Sequence, residues 1–392
     1  MTTTSLKTPP RGFPIAEFEH RAARAQHAMR DNGLDALLVT SPQQVRYFTG
    51  FDTQFWESPT RSWYVIVPAN GAPVAVIPEI GAPGMRATWV NDVRTWPAPN
   101  PADDGINLLA DTLRELAGAG GKVGAELGPE LQLRMPVKHL SEIADRAGIT
   151  IDDGTAVIRY CRHVKSELEI DKIRHICQIT SDSFAVVPDL IEAGDTERAV
   201  VQKMRADLIK RGADSSPYLI GVSGPGGYDN IVMGPTDRVL STGDLFIIDT
   251  GTVFDGYFCD FDRNWAIGTA DDAARRAYEA VWHATEIGIA AARPGVRVCD
   301  LWKAMADELD RAGSVGNNVG RLGHGLGMQL TEPPSNHPQD ETVLEAGTVL
   351  SIEPGMEFAP GRMMVHEENI VIRESGAELL TTRAAPELPV VS

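Results

Sequence analysis

Apolar and polar positions in the first part of the chain alternate between the helical period and the strand period. The helical pattern over residues 15–31 ends before an Asn-Gly pair, which is typical of a helix C terminus. Asn70-Gly71 separates two short apolar runs and predicts a β-hairpin. We therefore predict an α/β domain over residues 1–160. Its predicted helices are 15–31 and 108–116, and its predicted strands are 36–39, 63–67, 74–77 and 123–126.

Residues 161–392 carry a second set of patterns and are predicted to form a separate domain. Ser166 begins the sequence Ser-Glu-Leu-Glu, which predicts a capping box and a helix. Residues 194–212 and 295–313 each contain a glycine turn followed by a helix of similar pattern. This weak repeat predicts two related halves with a site where they meet, although two unrelated amphipathic helices would explain it equally well.

The composition is that of a soluble globular protein of two-domain size. The chain has 392 residues, of which 43% are hydrophobic and 23% are charged. A net charge of −18 argues against nucleic acid or an anionic membrane as the main partner. Because the N terminus lacks an apolar signal segment and the four cysteines form no Cys-x-x-Cys pair, we expect free thiols and a cytoplasmic location.

Five residues in the second half carry the candidate chemistry: Asp249, Asp260, His324, Glu353 and Glu367. Each lies beside an apolar run or a glycine turn, where an unpaired charge is costly to bury. Four buried carboxylates would repel one another and would have to take up protons or bind cations. Two divalent cations would balance the four carboxylates while His324 stays neutral. The pattern therefore predicts a two-metal site that makes a nucleophile from water.

A hairpin is expected to bring the two aspartates together. The strand 245–248 is predicted to end at Asp249, in the sequence Asp-Thr-Gly. A turn in the glycine-containing stretch that follows would place Asp260, eleven residues later, next to Asp249. Asp-x-Gly alone occurs in many turns, so this prediction depends on the later residues.

The other three residues are expected near strands and glycines. His324 lies among three glycines, which are expected to allow close backbone approach to a ligand. Glu353 is predicted at the end of a strand over residues 349–352, and Glu367 is predicted within a strand over residues 363–372. A carboxylate in such apolar surroundings needs a partner, and a metal ion is a suitable one.

The motifs occur in the order Asp-x-Gly, Gly-Tyr-x-x-Asp, Gly-His-Gly-x-Gly, Glu-Pro-Gly and Glu-Glu-x-Ile. With these motifs, the chain resembles the creatinase/aminopeptidase P/prolidase family over about residues 165–385. The resemblance implies a mixed α/β (α+β) architecture, in which a pita-bread catalytic domain with pseudo-twofold symmetry follows a smaller creatinase-type N-terminal domain. The N-terminal domain would cover residues 1–160, and the catalytic domain residues 161–392. A homodimer is expected from the same resemblance.

The resemblance also implies a role for each of the five residues. Asp249 would bind the first ion, and Asp260 and Glu367 would bridge both ions. His324 and Glu353 would complete the second ion's ligands. These two are the predicted catalytic residues, and Glu353 would take a proton from the attacking water. Oxygen-rich ligation with a single imidazole suits Mn²⁺, with Co²⁺, Zn²⁺ and Fe²⁺ as alternatives.

The chain departs from the family at two positions. Related peptidases have histidines that contact the substrate where this chain has Val232 and Thr331. Loss of one such donor typically lowers the rate about 10²- to 10³-fold, so we expect a different substrate or different donors. His366 adjoins the last ligand and is expected to point to the opposite face of its strand. An ordinary hydrogen bond is the alternative role for every candidate donor. The candidate donors and substrate contacts are Tyr228, Asn230, Thr331, Arg362 and His366.

Trp56 is the candidate from the N-terminal domain. It lies in the sequence Phe-Trp-Glu-Ser-Pro, which is typical of a loop. Because N-terminal loops of related dimers reach the neighbouring subunit's active site, we hypothesise that Trp56 lines the site of the partner, against a cationic substrate. Core packing is the alternative explanation for this aromatic cluster.

The resemblance implies a metallohydrolase that cleaves the C–N bond of a small molecule or short peptide, as an Xaa-Pro dipeptidase or aminopeptidase P does. A metal-dependent lyase of the dimethylsulfoniopropionate-lyase type is the main alternative, because the missing histidines and an aromatic mouth suit it. A creatinase-like amidinohydrolase and a non-catalytic binding module are less favoured, because the five retained ligands argue against both.

Overall fold

The computed structural model describes residues 7–58, 61–192, 194–316 and 320–391 of the chain. The chain divides into two compact units. We call residues 10–162 the N-terminal unit, and residues 163–392 together with the first nine residues the C-terminal unit. In the described ranges, no helix has both the length and the apolar composition needed to cross a membrane.

The N-terminal unit is built on a six-stranded mixed sheet. Its strands are β1 (Ala36–Val39), β2 (Tyr64–Pro68), β3 (Val74–Pro78), β4 (Asp92–Trp96), β5 (Lys122–Ala125) and β6 (Thr150–Asp153), in the spatial order β4-β3-β2-β1-β5-β6. β2 pairs antiparallel with β1 and β3, and the other three pairings are parallel. Its helices are α1 (Ile15–Asp31), α2 (Pro42–Thr49), α3 (Ala82–Arg86), α4 (Ile106–Ala117), α5 (Val137–Ala147) and α6 (Thr155–His163), with 3₁₀ helices at Gln54–Glu57 and Glu79–Gly81.

The local sequence accounts for these elements. α1 and β1 have the bounds that the apolar pattern predicts. The predicted Asn-Gly turn joins β2 to β3, and its glycine, Gly71, has a φ of +91°, which favours glycine. Leu38 and Ile66 of the sheet share a buried core with Leu109 and Leu113 of α4. The amphipathic helices thus cover the apolar strands.

The C-terminal unit contains two sheets and a separate ribbon. The four-stranded sheet contains β7 (Ser215–Pro225), β8 (Asp244–Phe254), β9 (Tyr257–Ile267) and β17 (Val390–Val391), in the order β17-β9-β8-β7. The five-stranded sheet contains β10 (Gly323–Gly325), β11 (Glu332–Ser335), β12 (Val349–Ile352), β15 (Glu368–Arg373) and β16 (Gly376–Leu379), in the order β11-β10-β12-β15-β16. The ribbon pairs β13 (Gly355–Ala359) with β14 (Arg362–Val365). The helices are α7 (Glu167–Phe184), α8 (Val187–Leu190), α9 (Glu197–Arg211), α10 (Asp272–Ala291) and α11 (Val298–Arg311).

The helices of this unit follow from local signals. α7 begins at the predicted capping box, in which the Ser166 hydroxyl accepts from the Glu169 N–H and the Glu169 carboxylate accepts from the Ser166 N–H. α9 and α11 are the two helices of the internal repeat. Buried residues of α10 and α11 share one core with Leu350 and Ile352 of β12. This core supports the strands that carry the candidate site.

Two strands differ from the sequence prediction. β8 continues past Asp249, which therefore lies within a strand instead of at its end. The hairpin turns at Asp255-Gly256, where both residues have the positive φ that a tight two-residue turn requires. The predicted strand 363–372 is divided into β14 and β15, which belong to different sheets, and Glu367 lies in the break. The apolar pattern is continuous across this break and does not reveal the change of sheet.

The glycines beside His324 allow close approach to neighbouring strands. A Cβ at Gly323, where φ is +140°, would lie 2.3 Å from the carbonyl oxygen of Ser351. A Cβ at Gly325 would lie 2.4 Å from the carbonyl oxygen of Pro333. β10 is therefore held between β11 and β12 at a separation that larger residues do not permit, which fixes the position of His324.

We predict that Gly325→Ala destabilises the C-terminal unit, because the added methyl would overlap backbone atoms of β11. The free energy of unfolding, measured with urea, should fall by about 1–3 kcal/mol. Gly234→Ala is the matched control, since a Cβ at Gly234 has no neighbour within 4 Å. Equal stabilities of the two variants would contradict the close packing of β10.

Candidate metal centre

The β8–β9 hairpin places three aspartates on one face of the four-stranded sheet. Asp249 pairs directly with Asp262, and Asp260 lies two residues before Asp262 on β9. Because strand side chains alternate between faces, Asp260 and Asp262 share a face, and the opposite Asp249 shares it with them. The hairpin therefore brings Asp249 and Asp260 close together although its turn lies at 255–256.

Three neighbouring strands of the five-stranded sheet supply the other candidate ligands. His324 lies in β10, Glu353 directly follows β12, and Glu367 directly precedes β15. β12 pairs with both β10 and β15, and its last residue, Ile352, lies opposite Gly323 on one side and Glu368 on the other. The three candidate ligands therefore lie at the same end of adjacent strands.

The five side chains form two overlapping groups. The ligand atoms of Asp260, His324 and Glu353 lie within 4.8 Å of one another, and so do those of Asp249, Asp260 and Glu367. His324 Nε2 lies 3.2 Å from Asp260 Oδ2 and 3.2 Å from Glu353 Oε2. Asp260 belongs to both groups and therefore links them.

Two buried carboxylate oxygens of this cluster have no hydrogen-bond donor within the described part of the chain. They are Asp249 Oδ1 and Glu367 Oε2. An unpaired buried carboxylate oxygen is costly, and a divalent cation supplies the missing partner. Carboxylates with one imidazole form a donor set that suits Mn²⁺ and similar ions. The residues present therefore fit a divalent metal site.

Without a cation, the repulsion among these groups favours their protonated forms. Burial, reinforced by neighbouring carboxylates, raises the pKa of Asp249 and of Glu367 well above the ordinary range. Burial also raises the pKa of Asp260 to about 6, although His324 opposes this shift. Burial acts to lower the pKa of His324, but Glu353 and Asp260 outweigh it and raise this pKa to about 10. The cluster is therefore one that binds protons or cations.

Neighbouring hydrogen bonds orient two members of the cluster. His324 Nδ1 lies 2.9 Å from the Gly325 carbonyl oxygen, and donation to it selects the tautomer whose Nε2 is available to a metal. Asn369 Oδ1 accepts a 2.9 Å bond from the Asp260 N–H, and Asn369 Nδ2 donates a 2.5 Å bond to the Asp260 carbonyl. Ser351 Oγ donates a 2.9 Å bond to the same carbonyl. Asn369 is absent from the sequence-based candidates, although it follows the last ligand within the same motif.

A cavity of about 250 Å³ opens onto the cluster. Thr331 and Val232, the two positions at which the family's histidines are expected, both line it. Arg321 and Tyr218 are polar lining residues that the sequence-based candidates lack. Arg321 lies three residues before His324, and this proximity is the only sequence feature that could have indicated it. No sequence feature near Tyr218 could have indicated that residue. Besides the five candidate ligands, the lining residues are Tyr218, Ile231, Val232, Arg321, Leu330, Thr331 and Val365.

Arg321 contacts both the cluster and the cavity wall. Its Nε lies 3.5 Å from Glu353 Oε1. Its Nη2 donates a 3.2 Å hydrogen bond to Thr331 Oγ1. The guanidinium is therefore held beside a candidate metal ligand while its side chain remains 29% exposed.

Tyr218 presents a phenol to the same cavity. Burial, together with the charges of Asp249 and Glu367, raises the pKa of Tyr218. The phenol therefore stays protonated at neutral pH and keeps its donor hydrogen. Its hydroxyl makes a long contact of 3.5 Å with the carbonyl oxygen of Ile231.

Tyr228 and Arg362, two of the predicted donors, are engaged elsewhere and are not among the described residues that line the cavity. The buried Tyr228 hydroxyl donates to Asn264 Oδ1 at 2.9 Å and accepts from a backbone N–H of β14 at 2.9 Å. Arg362 Nε donates to the Gly226 carbonyl at 2.6 Å, and Arg362 Nη2 donates to Asp271 Oδ2 at 2.7 Å. Both residues thus link β14 to neighbouring segments through hydrogen bonds.

His366 is buried away from the cavity lining that the structure describes, as its place next to Glu367 leads us to expect. Its Nδ1 lies 3.7 Å from Asp262 Oδ1, and its Nε2 lies 3.6 Å from Glu368 Oε1. Arg383 also contacts Nε2. His366 therefore belongs to a buried charged group beside the ligand segment.

Trp56 lies in the N-terminal unit, in the 3₁₀ helix Gln54–Glu57. Its ring centroid is 5.8 Å from that of Trp63, and the Arg134 guanidinium lies 5.5 Å from the Trp56 ring. These contacts support the packing explanation for part of the aromatic cluster. A role of Trp56 in a partner subunit's site stays a prediction.

Comparison with known proteins agrees with this geometry. The family model described as "Metallopeptidase family M24" matches residues 171–374, and that described as "Creatinase/Prolidase N-terminal domain" matches residues 21–164. A probable dipeptidase PepE from Mycobacterium tuberculosis is 30% identical over 386 residues, which cover 97% of this chain and 98% of that protein. An Xaa-Pro dipeptidase from Pyrococcus furiosus is 26% identical over 356 residues, which cover 90% of this chain and 95% of that protein.

Solved structures give the same result for the fold. The crystal structure of dipeptidase PepE from Mycobacterium ulcerans matches with a TM-score of 0.84 and 30% identity, covering 97% of this chain and 99% of that one. The prolidase from Pyrococcus horikoshii matches with a TM-score of 0.79 at 24% identity, covering 93% of this chain and 99% of that one. The predicted pita-bread fold with a creatinase-type N-terminal domain is confirmed. The chain therefore belongs to metallopeptidase family M24, and its relatives support a metal-dependent peptide hydrolase.

Proposed function

We propose that this protein is a dinuclear metal-dependent dipeptidase that hydrolyses the C–N bond of short Xaa-Pro substrates. The observation that carries the proposal is the pair of overlapping ligand groups that share Asp260 beside a cavity of about 250 Å³. This volume lies below the range of about 300–1,000 Å³ typical of drug-sized ligands, which favours a small substrate. The relatives named Xaa-Pro dipeptidase and dipeptidase PepE support a peptide bond as the target.

The five candidate ligands would hold the cations, for which we favour Mn²⁺. Asp249 and Glu367 would serve one position, His324 and Glu353 the other, and Asp260 both. A second bridging role, for Glu367, stays a prediction from the family resemblance. When bound, divalent cations lower the pKa of water and polarise a carbonyl oxygen.

The protein's own side chains would transfer protons and orient the substrate. Glu353 has a side chain that is 15% exposed in the cavity, so it can accept a proton from the attacking water and return it to the leaving amine. The protonated Tyr218 would donate a hydrogen bond to the developing oxyanion. This donor would replace an imidazole that neither Val232 nor Thr331 provides.

We predict that the Mn²⁺-loaded protein hydrolyses glycyl-proline and that Glu353→Gln lowers kcat about 10²- to 10⁴-fold by removing the proton acceptor. Released proline would be measured. Glu374→Gln is the matched control, because Glu374 is exposed in the turn between β15 and β16. Dimethylsulfoniopropionate and creatine would be tested in parallel. Turnover of either one, with no cleavage of any dipeptide, would replace the peptidase proposal by the lyase or the amidinohydrolase.

We predict that variants of the candidate metal ligands differ in metal content, according to whether the substituted residue belongs to one of the two ligand groups or to both. Asp260→Asn removes a ligand from both groups and should lose both cations, whereas Asp249→Asn disturbs one group and should retain about one cation per chain. The metal-to-protein ratio would be measured by mass spectrometry after dialysis. Asp237→Asn is the control, since its side chain is 81% exposed. A dinuclear site is excluded if Asp260→Asn keeps two ions.

We predict that Mn²⁺ binding at pH 7.5 releases about one proton or more, because the pKa of His324 is about 10 without metal. Because the pKa of His324 is raised, its imidazole is protonated below about pH 10. The metal must displace this proton, so the affinity of the site for the metal should increase as pH rises. Below about pH 6, protonation of Asp260 should weaken binding further. Calorimetry in buffers of different ionisation enthalpy measures the release, and pH-independent binding without proton release would contradict the coupling.

A further inference from the structure

The segment that carries Glu367 lies in the break between β14 and β15, where the chain passes from one sheet to another. Backbone carbonyl groups at such a break need hydrogen-bond donors from outside the strand ladder. Side chains of β9 and α10 supply donors to three successive carbonyl oxygens. The pairs are Asn264 Nδ2 with Val365 at 2.8 Å, Thr285 Oγ1 with His366 at 3.3 Å, and Arg263 Nη1 with Glu367 at 3.0 Å. Arg263 therefore holds the backbone of the candidate ligand itself.

The guanidinium of Arg263 is fixed by bonds in several directions. Its Nη1 also donates to the Asp262 carbonyl at 2.6 Å, and its Nη2 donates to the Thr382 carbonyl at 2.7 Å. Nη2 makes a further bond of 3.1 Å to Glu368 Oε2. The side chain is 11% exposed, so water replaces few of these contacts. The donor that points at the ligand segment therefore has a defined position.

Arg263 connects the segment of Glu367 to the strand that carries Asp260. Asp260 and Arg263 both lie on β9, three residues apart, which is about 10 Å along a regular strand. Asp260 and Glu367 belong to one ligand group, although they come from parts of the chain that lead into different sheets. The bond from Arg263 therefore helps to set the separation of these two ligands. Because it goes to the carbonyl oxygen, it leaves the carboxylate of Glu367 to the site.

We propose that Arg263 is a positioning residue that holds Glu367 at the separation from Asp260 that metal binding requires. The inference rests on the proposed function, because it takes the cluster to be a metal centre. The position and the charge of Arg263 act in opposite directions. A nearby positive charge repels a metal ion, so loss of the charge alone would strengthen metal binding. Loss of a residue that orients a metal ligand typically weakens binding about 10- to 100-fold.

Arg383 provides a matched comparison, because it is a second arginine beside the same segment. Its Nη1 donates to Glu368 Oε1 at 3.0 Å, close to the 3.1 Å of the Arg263 bond to the same carboxylate. Its other described bonds lead to α10 and to His366, and none of them reaches Glu367. Both arginines thus supply a positive charge to Glu368, and of the two Arg263 holds the candidate ligand.

Calorimetric titration of the metal-free protein with Mn²⁺ tests the proposal without turnover. Arg263→Gln should weaken Mn²⁺ binding about 10- to 100-fold. Arg383→Gln removes the same charge and should leave the affinity unchanged or slightly higher. Arg263→Lys should recover part of the loss, because a single ammonium can donate to the Glu367 carbonyl but lacks the fork that binds its neighbours at the same time.

A second comparison separates positioning from general support of the fold. In a Glu367→Gln background, Arg263→Gln should have little further effect on Mn²⁺ affinity, because the carboxylate that it positions is gone. Circular dichroism of the metal-free variants would show whether each one is folded. If Arg263→Gln does not fold, Arg263→Lys would be compared with Arg383→Lys and should still bind Mn²⁺ more weakly.

Equal Mn²⁺ affinities of the corresponding Arg263 and Arg383 variants would overturn the proposal. It would also be overturned if Arg263→Gln caused the same loss with and without the Glu367 carboxylate, because Arg263 would then support the whole cluster. A wild type with no affinity for Mn²⁺ would overturn both this inference and the proposed function. If the variants bind Mn²⁺ as expected but the wild type cleaves no dipeptide, the positioning role is retained and the hydrolase proposal fails.

Discussion

The confinement of four carboxylates and one imidazole in a single cluster is the constraint on which the C-terminal unit depends. Burial and mutual repulsion raise the pKa of Asp249 and of Glu367, so ionisation of these groups works against the folded state. The opposing free energy comes from the apolar core shared by the strands with α10 and α11. Because that core is close-packed, the carboxylates cannot move apart to relieve their repulsion. They are therefore held ready to exchange protons for cations.

The rigidity of the cluster is built at the level of the backbone. Asp260 is fixed through its own N–H and carbonyl by Asn369 and Ser351, which leaves its carboxylate available to the site. His324 is fixed because the glycines on either side let β10 lie close to both of its neighbours. In both cases backbone atoms, and not the side chain of the candidate ligand, make the contacts that fix its position. Supporting a binding residue through its backbone keeps its functional atoms free, which is what a preorganised site requires.

The five candidate ligands could be chosen from the sequence because their signal is local: each lies in a short motif beside an apolar run or a glycine turn. The sequence predicts the lining of the cavity poorly, because the lining residues come from segments that are distant in the sequence and meet only in the folded chain. Tyr218 reaches the cavity from β7, where it pairs with Gly251, and nothing near it in the sequence indicates this. The sequence also misleads at Tyr228, whose hydroxyl is buried in other contacts. Several elements, such as α1 and β12, have the predicted bounds, whereas the change of sheet before Glu367 has no periodic signal.

The placement of a guanidinium next to a candidate metal ligand follows from the same electrostatic constraint. In the metal-free protein, Arg321 lies close enough to Glu353 to offset part of the negative charge of the cluster. Glu353 would be compensated by a cation bound to it, and its attraction to Arg321 would then be weaker. The hydrogen bond to Thr331 does not involve the cluster and would keep the guanidinium at the wall of the cavity. Metal loading would thus change the electrostatics of the cavity wall as well as those of the ligand cluster.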